Sequence, residues 1–242
     1  MVKGSHHLGV IYWLGLVGYS DAYQLQRKLL SYRWDRKIAD TLLLMEHPPT
    51  FTIGKSGKLE NVLVSQEELA EEGISVFFTD RGGDVTYHGP GQLVCYPIID
   101  LRERGKDIRK YVHDLEEVIL RTVSSFSIDA VRDESHAGVW VNDEGLATIG
   151  IRVRKWITMH GFAINVKPKL EHFSFINPCG FCNRKATSIF KLLSKDVPME
   201  AVTERLVRHF SEVFDVHIGF SIYIPPGVDY DIDTTLWGLC IP

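Results

Sequence analysis

Apolar and polar residues repeat on two periods along this chain, and the switches between them mark its elements. Residues 8–17 form a short apolar run rich in Val, Ile, Tyr and Trp, which predicts a buried strand. Over 20–31, Ala22, Leu25, Leu29 and Leu30 fall near helical spacing and predict a helix. Two strands follow, 41–46 and 50–53, with Pro48-Pro49 stopping the first and Gly54 ending the second. A short polar helix is expected at 66–72 and another strand at 75–79. A glycine-rich loop, 81–92, then leads into a strand at 93–99. The clearest helix spans 108–126, where Ile108, Val112, Leu115, Ile119, Val123 and Phe126 recur at three- and four-residue steps. Asn142-Asp143-Glu144-Gly145 separates two β-type runs, 138–141 and 146–153, as in a hairpin. Residues 156–166 read as a strand with Gly161 inside it, a sign of close backbone approach. The last helix, 199–214, carries Val202, Leu206, Phe210 and Phe214 at strict four-residue spacing, and the tail from 221 reads as irregular.

Strands and helices mix without regular βαβ alternation, which predicts a single α+β domain on a mixed sheet, not a doubly wound nucleotide-binding fold. The 242 residues, 45% hydrophobic and 24% charged, suffice for a substantial core. A net charge of −4 argues against a nucleic-acid binder. Four cysteines are too sparse for a disulfide scaffold and fit a reducing, cytoplasmic compartment. The run 8–17 loosely resembles a signal peptide, but Trp13 and the poor cleavage site Tyr19-Ser20-Asp21-Ala22 argue against it. No later apolar run approaches the roughly 20 residues that span a bilayer, so no membrane partner is expected.

Three groups of residues carry candidate chemistry. Arg81-Gly82-Gly83-Asp84-Val85-Thr86-Tyr87-His88-Gly89-Pro90-Gly91-Gln92 sets four glycines beside Arg, Asp, Tyr and His, and reads as a ligand-binding loop in preference to a plain surface turn. It lacks the ending of a P-loop, and it opens no helix as a dinucleotide fingerprint would. Cys179 and Cys182 form a lone C-x-x-C in Asn177-Pro178-Cys179-Gly180-Phe181-Cys182. Cys95 and Cys240 have no partner cysteines nearby, so a zinc site lacks ligands; no metal and no cofactor are expected. A nucleophilic cysteine beside a glycine turn and inert buried thiols remain as open readings. Of the histidines His47, His88, His113, His136, His160 and His172, only His88 and His160 adjoin glycine in a candidate site segment.

Taken together these segments resemble the octanoyltransferases of lipoate biosynthesis. The resemblance covers roughly 8–215. It is carried in order by Glu46-His47-Pro48-Pro49, the 81–94 segment, Gly138-Val139-Trp140-Val141, Ala147-Thr148-Ile149-Gly150-Ile151-Arg152-Val153, His160-Gly161-Phe162-Ala163-Ile164-Asn165-Val166 and Ile176-Asn177-Pro178-Cys179-Gly180. It implies the fold of the biotin and lipoate protein ligase catalytic domain, at 8–218, followed by a tail at 219–242. The implied activity is transfer of octanoyl from octanoyl-acyl carrier protein to a specific lysine on lipoyl domains of 2-oxoacid dehydrogenases and on the glycine cleavage H protein. Cys179 matches the family's acyl-thioester cysteine. The acyl-substrate-binding segments match Arg81 to His88, then Thr148, Ile149 and Gly150, then Gly161, Phe162 and Ala163.

One position departs from the pattern. The family places a lysine, thought to lower the cysteine's pKa, where this chain has Gly145, and no lysine lies between Lys110 and Lys155. The local reading is a glycine that closes the turn; otherwise another group does that work, with His88, His160 and the weaker Lys155 as nominees, or the chain is a weakened or inactive homologue, or the residue is engineered. A lipoate ligase on the same fold is the competing enzyme reading, and a non-catalytic carrier-binding protein is the competing non-enzyme one. Backbone N–H groups near Gly82, Gly83 or Gly150 are candidate oxyanion donors, and Val85, Tyr87, Ile149 and Phe162 are candidates to line an octanoyl slot.

Overall fold

The computed structural model describes residues 7–133, 136–177 and 185–223. Among them, eight strands form one mixed sheet in the order β11-β1-β2-β6-β10-β9-β8-β7. These are β1 (His7–Leu16), β2 (Asp40–Glu46), β6 (Gln92–Ile98), β7 (Val131–Arg132), β8 (Gly138–Val141), β9 (Glu144–Arg154), β10 (Ile157–Asn165) and β11 (Val216–Tyr223). β11, β1 and β2 run parallel to one another, and every other neighbouring pair in this sheet is antiparallel.

Both faces of the central strands are covered, which is why they read as continuous apolar runs. On β2, Leu43 and Met45 face one way and Leu42 and Leu44 the other. The first face packs against helix α1 (Tyr19–Trp34) through Ala22, Leu25 and Leu29. The second packs against α3 (Ile108–Ser124) and α5 (Met199–Phe214). α5 has the expected bounds and buries Val202, Leu206, Phe210 and Phe214. α3 starts at an N-cap, where Asp107 accepts from the Lys110 N–H. It buries Tyr111, Leu115, Val118, Ile119 and Val123, while Ile108 is exposed.

A second sheet, β4 (Ser75–Phe78), β3 (Thr50–Ile53) and β5 (Val85–His88), packs over its own cluster with α2 (Gln66–Glu71). A capping box formed by Ser65 and Glu68 starts α2.

Four sequence expectations change. The segment 81–92 is not one loop, because Val85–His88 pairs with β3 as strand β5. The hairpin turn is two residues long: Asn142 and Asp143 have φ of 48° and 65°, the signature of a tight primed turn. Glu144 and Gly145 already belong to β9. Strand β11 crosses the expected boundary at 218 and carries regular structure to Tyr223. Helix α4 (Ile189–Leu193) and strand β7 are too short for periodicity to reveal.

Candidate active site

A cavity of about 560 Å³ opens where the second sheet meets β9 and β10, within the roughly 300–1,000 Å³ typical of small-molecule sites. Of the residues expected to bind acyl substrate, Arg81, Gly82, Gly83, Asp84, Val85, Thr86 and His88 line it from one side. Thr148, Ile149 and Gly150 on β9, and Gly161, Phe162 and Ala163 on β10, line it from the other. Tyr87 is the exception: its ring is buried in the second sheet's cluster, edge-on to Phe51, His172 and Phe173. It does not line the slot, and Ile151, Phe173 and Ile176 extend the apolar wall in its place.

The 81–84 segment is fixed before any ligand arrives. The buried Arg81 guanidinium donates to Thr52 Oγ1, to the Thr52 carbonyl and to the Gly82 carbonyl. The Gly82 N–H donates to Ile151 O at 2.8 Å, tying the loop to β9. That amide is therefore engaged and is not an oxyanion donor. Gly83, left-handed at φ +85°, keeps that candidacy, whereas Gly150 is paired with Gly161 in the β9–β10 ladder.

Three buried histidines cluster here, His88 and His160 in the cavity lining and His47 against His88. His47 donates from Nδ1 to Val17 O at 2.6 Å, with its Nε2 2.9 Å from the Tyr96 hydroxyl. His88 Nδ1 lies 2.7 Å from Gln92 Oε1, and His160 Nε2 lies 2.8 Å from Asp80 Oδ1. Asp80 also accepts from the Tyr23 hydroxyl at 2.7 Å and pairs with Arg152. Burial holds the imidazoles neutral. It takes His47 down to about 4. It takes His88 to about 3, with His47 adding to the effect, and His160 to about 3, helped by Arg81 and Arg152. Two nominees for the missing base thus lose their case: a neutral imidazole with so low a pKa supplies no cation and is a poor base. Lys155, the third, places its ammonium 4.5 Å over the Trp34 ring and does not line the cavity. His160 also has φ 56° within a strand, a strained conformation of the kind that clusters at functional sites.

Acid stability follows from the same burial. Below pH ~6.5 the unfolded chain protonates these histidines while the folded chain does not, so stability is full above that value and is lost as pH falls toward about 3–4. The slope is up to about 1.4 kcal/mol per pH unit for each histidine. Melting curves between pH 7.5 and 4.5 are expected to show a steady fall in Tm. A Tm that stays flat over that range would contradict the buried, neutral assignment.

Cys179 and Cys182 lie outside the described residues, but the segment's flanks do not: Ile176 on one side and Lys185 and Ala186 on the other all line the cavity. Cys95 is buried in the core, where burial pushes its thiol well above the usual range. Among the described residues no group of three or more His, Cys, Asp or Glu could hold a metal ion, and no helix is long and apolar enough to cross a membrane. Tyr19, Tyr96, Trp140 and Lys185 also line the site, and the sequence reading named none of them as site residues. Trp140 stood within a quoted motif, but nothing in the sequence set its direction.

Residues 18–211 match the lipoyl protein ligase A/B catalytic domain. An octanoyltransferase of Caldicellulosiruptor saccharolyticus is 50% identical over 86% of this chain and 89% of its own length. One from Desulforamulus reducens is 45% identical over 84% and 89%. Among solved structures, a lipoate-protein ligase A bound with ATP superposes with a TM-score of 0.72 at 17% identity, covering 90% of this chain and 89% of that one, a likeness of fold.

Proposed function

The chain belongs to the lipoyl protein ligase A/B catalytic-domain family and acts as an octanoyltransferase in lipoate synthesis, and we propose that it works through an acyl-thioester on Cys179. The observation that carries this reading is the convergence of three expected segments on one apolar-walled cavity, with both flanks of the Cys179 segment in its lining.

The chemistry is two exchanges. The Cys179 thiolate attacks the carbonyl of octanoyl-acyl carrier protein; the new C–S bond forms, the old one breaks, and the carrier leaves as its thiolate. The amine of a lysine on a lipoyl domain then attacks the acyl-enzyme. The amide C–N bond forms, the bond to Cys179 breaks, and the proton lost by the nitrogen returns the cysteine to its thiol. Thioester for thioester is nearly balanced; thioester to amide drives the sequence forward. Each tetrahedral oxyanion needs donors aimed at it, and one such N–H is worth about 2.7–4 kcal/mol. Gly83 is the candidate. Val85, Ile149, Ile151, Phe162, Phe173 and Ile176 give the octanoyl tail its apolar wall. The acceptors are lipoyl domains of 2-oxoacid dehydrogenases and the glycine cleavage H protein, the setting is the cytoplasm, and the catalytic unit runs from residue 8 through β11.

Intact-mass measurement after mixing the protein with octanoyl-acyl carrier protein tests the reading. The expected product is one hydroxylamine-labile octanoyl adduct, mapped to Cys179, formed without ATP or added metal. An adduct on Cys182, Cys95 or Cys240 would move the nucleophile. Acylation that needs free octanoate and ATP would make the protein a ligase.

A further inference from the structure

Two imidazoles in the cavity wall have their protons fixed from outside it. An ionised carboxylate only accepts hydrogen bonds, so the 2.8 Å contact of His160 Nε2 with Asp80 Oδ1 puts the ring proton on Nε2 and leaves Nδ1 a bare acceptor. His88 is fixed through a relay. Asn165 Nδ2 donates to Thr187 O at 3.0 Å, so its Oδ1 accepts from Gln92 Nε2 at 2.9 Å. Gln92 Oε1 then accepts from His88 Nδ1 at 2.7 Å, and His88 Nε2 is an acceptor too. Both rings line the cavity, and among the described residues none bonds His160 Nδ1.

His160 is held from several sides. Its residue is 1% exposed, and its backbone sits at φ 56° while its N–H donates to Gln26 Oε1 of α1 at 2.6 Å. The Tyr23 ring stacks against the imidazole at 5.7 Å, and Tyr96 meets it edge-on at 6.3 Å. Such a constrained ring with one bare nitrogen suits a ligand that has a proton to share. The octanoyl chain and its carbonyl have none. The amine of the acceptor lysine has two N–H groups. Its ordinary pKa of about 10.4 makes it an ammonium in water, and only the neutral form attacks. Arg81 lines the same cavity, and its buried charge, which helps keep His160 neutral, disfavours a second cation there. This wall therefore receives an amine better than an ammonium.

We propose that His160 contacts the acceptor: its Nδ1 receives an N–H of the incoming lysine amine, and Asp80 is the positioning residue that fixes the ring tautomer for it. The inference deepens the acyl-transfer reading above and rests on it, since the acceptor step belongs to that reading. The bonds made and broken are unchanged. His160 takes a hydrogen bond and not the proton, which passes to the departing sulfur as before. Its weak basicity fits the role, because a protonated ring has no acceptor left and would repel the amine's own N–H groups.

The test is steady-state transfer by the full chain from octanoyl-acyl carrier protein to a purified lipoyl domain, with each substrate varied in turn. In a reaction of two exchanges, kcat/KM for the carrier reports the first and kcat/KM for the lipoyl domain the second. In Asp80→Asn, the Tyr23 hydroxyl and Arg152 hold the new carbonyl oxygen at the Oδ2 position, so the amide N–H faces His160 Nε2 and moves the ring proton to Nδ1. The lipoyl-domain kcat/KM is expected to fall about tenfold while the carrier kcat/KM stays within about twofold. Nitrogen NMR of labelled histidine should show the protonated and bare signatures of His160 exchanged between its two nitrogens. His160→Phe, which keeps a ring without an acceptor, should reproduce the one-sided loss. His160→Asn, which tolerates φ 56° and offers an amide oxygen near the δ position, should recover most of it. A loss shared equally by both substrates, a loss on the carrier side alone, or a folded His160→Phe with full activity overturns the proposal. A slower Asp80→Asn whose ring proton has not moved overturns the part given to Asp80, and if that variant does not fold the two His160 variants decide. A parent protein that transfers octanoyl to no lipoyl domain overturns instead the reading beneath.

Discussion

Cys179→Ala is expected to reduce octanoyl transfer at least about a thousandfold, because without the sulfur no acyl-enzyme forms and the acceptor amine must attack the carrier thioester directly. The donor cavity would survive, so the variant should still bind octanoyl-acyl carrier protein and merely fail to turn it over. Its neighbour gives the contrast: Cys182→Ala should retain most of the activity, since the resemblance places the acyl group on the cysteine between Pro178 and Gly180 alone. Cys95 cannot substitute, because its sulfur lies in the core between sheet and helices with its thiol form strongly favoured. Single-turnover assays with a purified lipoyl domain separate these outcomes. Transfer persisting in Cys179→Ala and vanishing in Cys182→Ala would reassign the nucleophile by three residues.

The largest effect on stability is expected at Gly161. A Cβ there would stand 2.1 Å from the Cys95 carbonyl oxygen and 2.6 Å from Pro97 Cδ, both on the adjacent strand β6. Backbone cannot swing aside as a side-chain tip can, so Gly161→Ala forces β6 and β10 apart in the middle of the sheet. Overpacking of this kind costs about 3 kcal/mol, which lowers Tm by roughly 10 °C in a chain of this size. Transfer should suffer as well, because Gly161 and its cross-strand partner Gly150 both line the cavity. Gly73→Ala is the informative comparison: its φ is +64° but nothing lies within 4 Å of the new methyl, so only the left-handed penalty of about 1 kcal/mol applies. Equal melting temperatures for the two variants would show that the strands yield where the contact distances say they cannot.

The resemblance and the periodicity together made most of this architecture legible, and the exceptions have physical reasons. Val202 to Phe214 announced α5 because one stripe of a long helix faces the core. The alternation within 85–88 was hidden among glycines, so a strand passed for loop, and with it went the inward direction of Tyr87. The turn at Asn142-Asp143 is governed by φ values that both Asn and Gly can adopt, so the residue that closes it could not be told from Gly145. The histidines show a different limit. His88 and His160 stood out because each adjoins glycine, and both line the cavity, but their charge depends on burial, and burial is set by strands far away in sequence.

The placement of β1 between β2 and β11 bears on how the chain acquires its shape during synthesis. β2 emerges soon after β1 and can pair with it, but the other neighbour begins at Val216. Until the ribosome has delivered that stretch, one side of β1 presents unpaired amides and carbonyls, a template on which a foreign strand can add. Parallel pairing across some two hundred residues is slow to nucleate, so β1 is among the last strands to be sealed. A nascent chain halted before residue 216 would be a better chaperone client than its already complete helices α1 and α3 suggest.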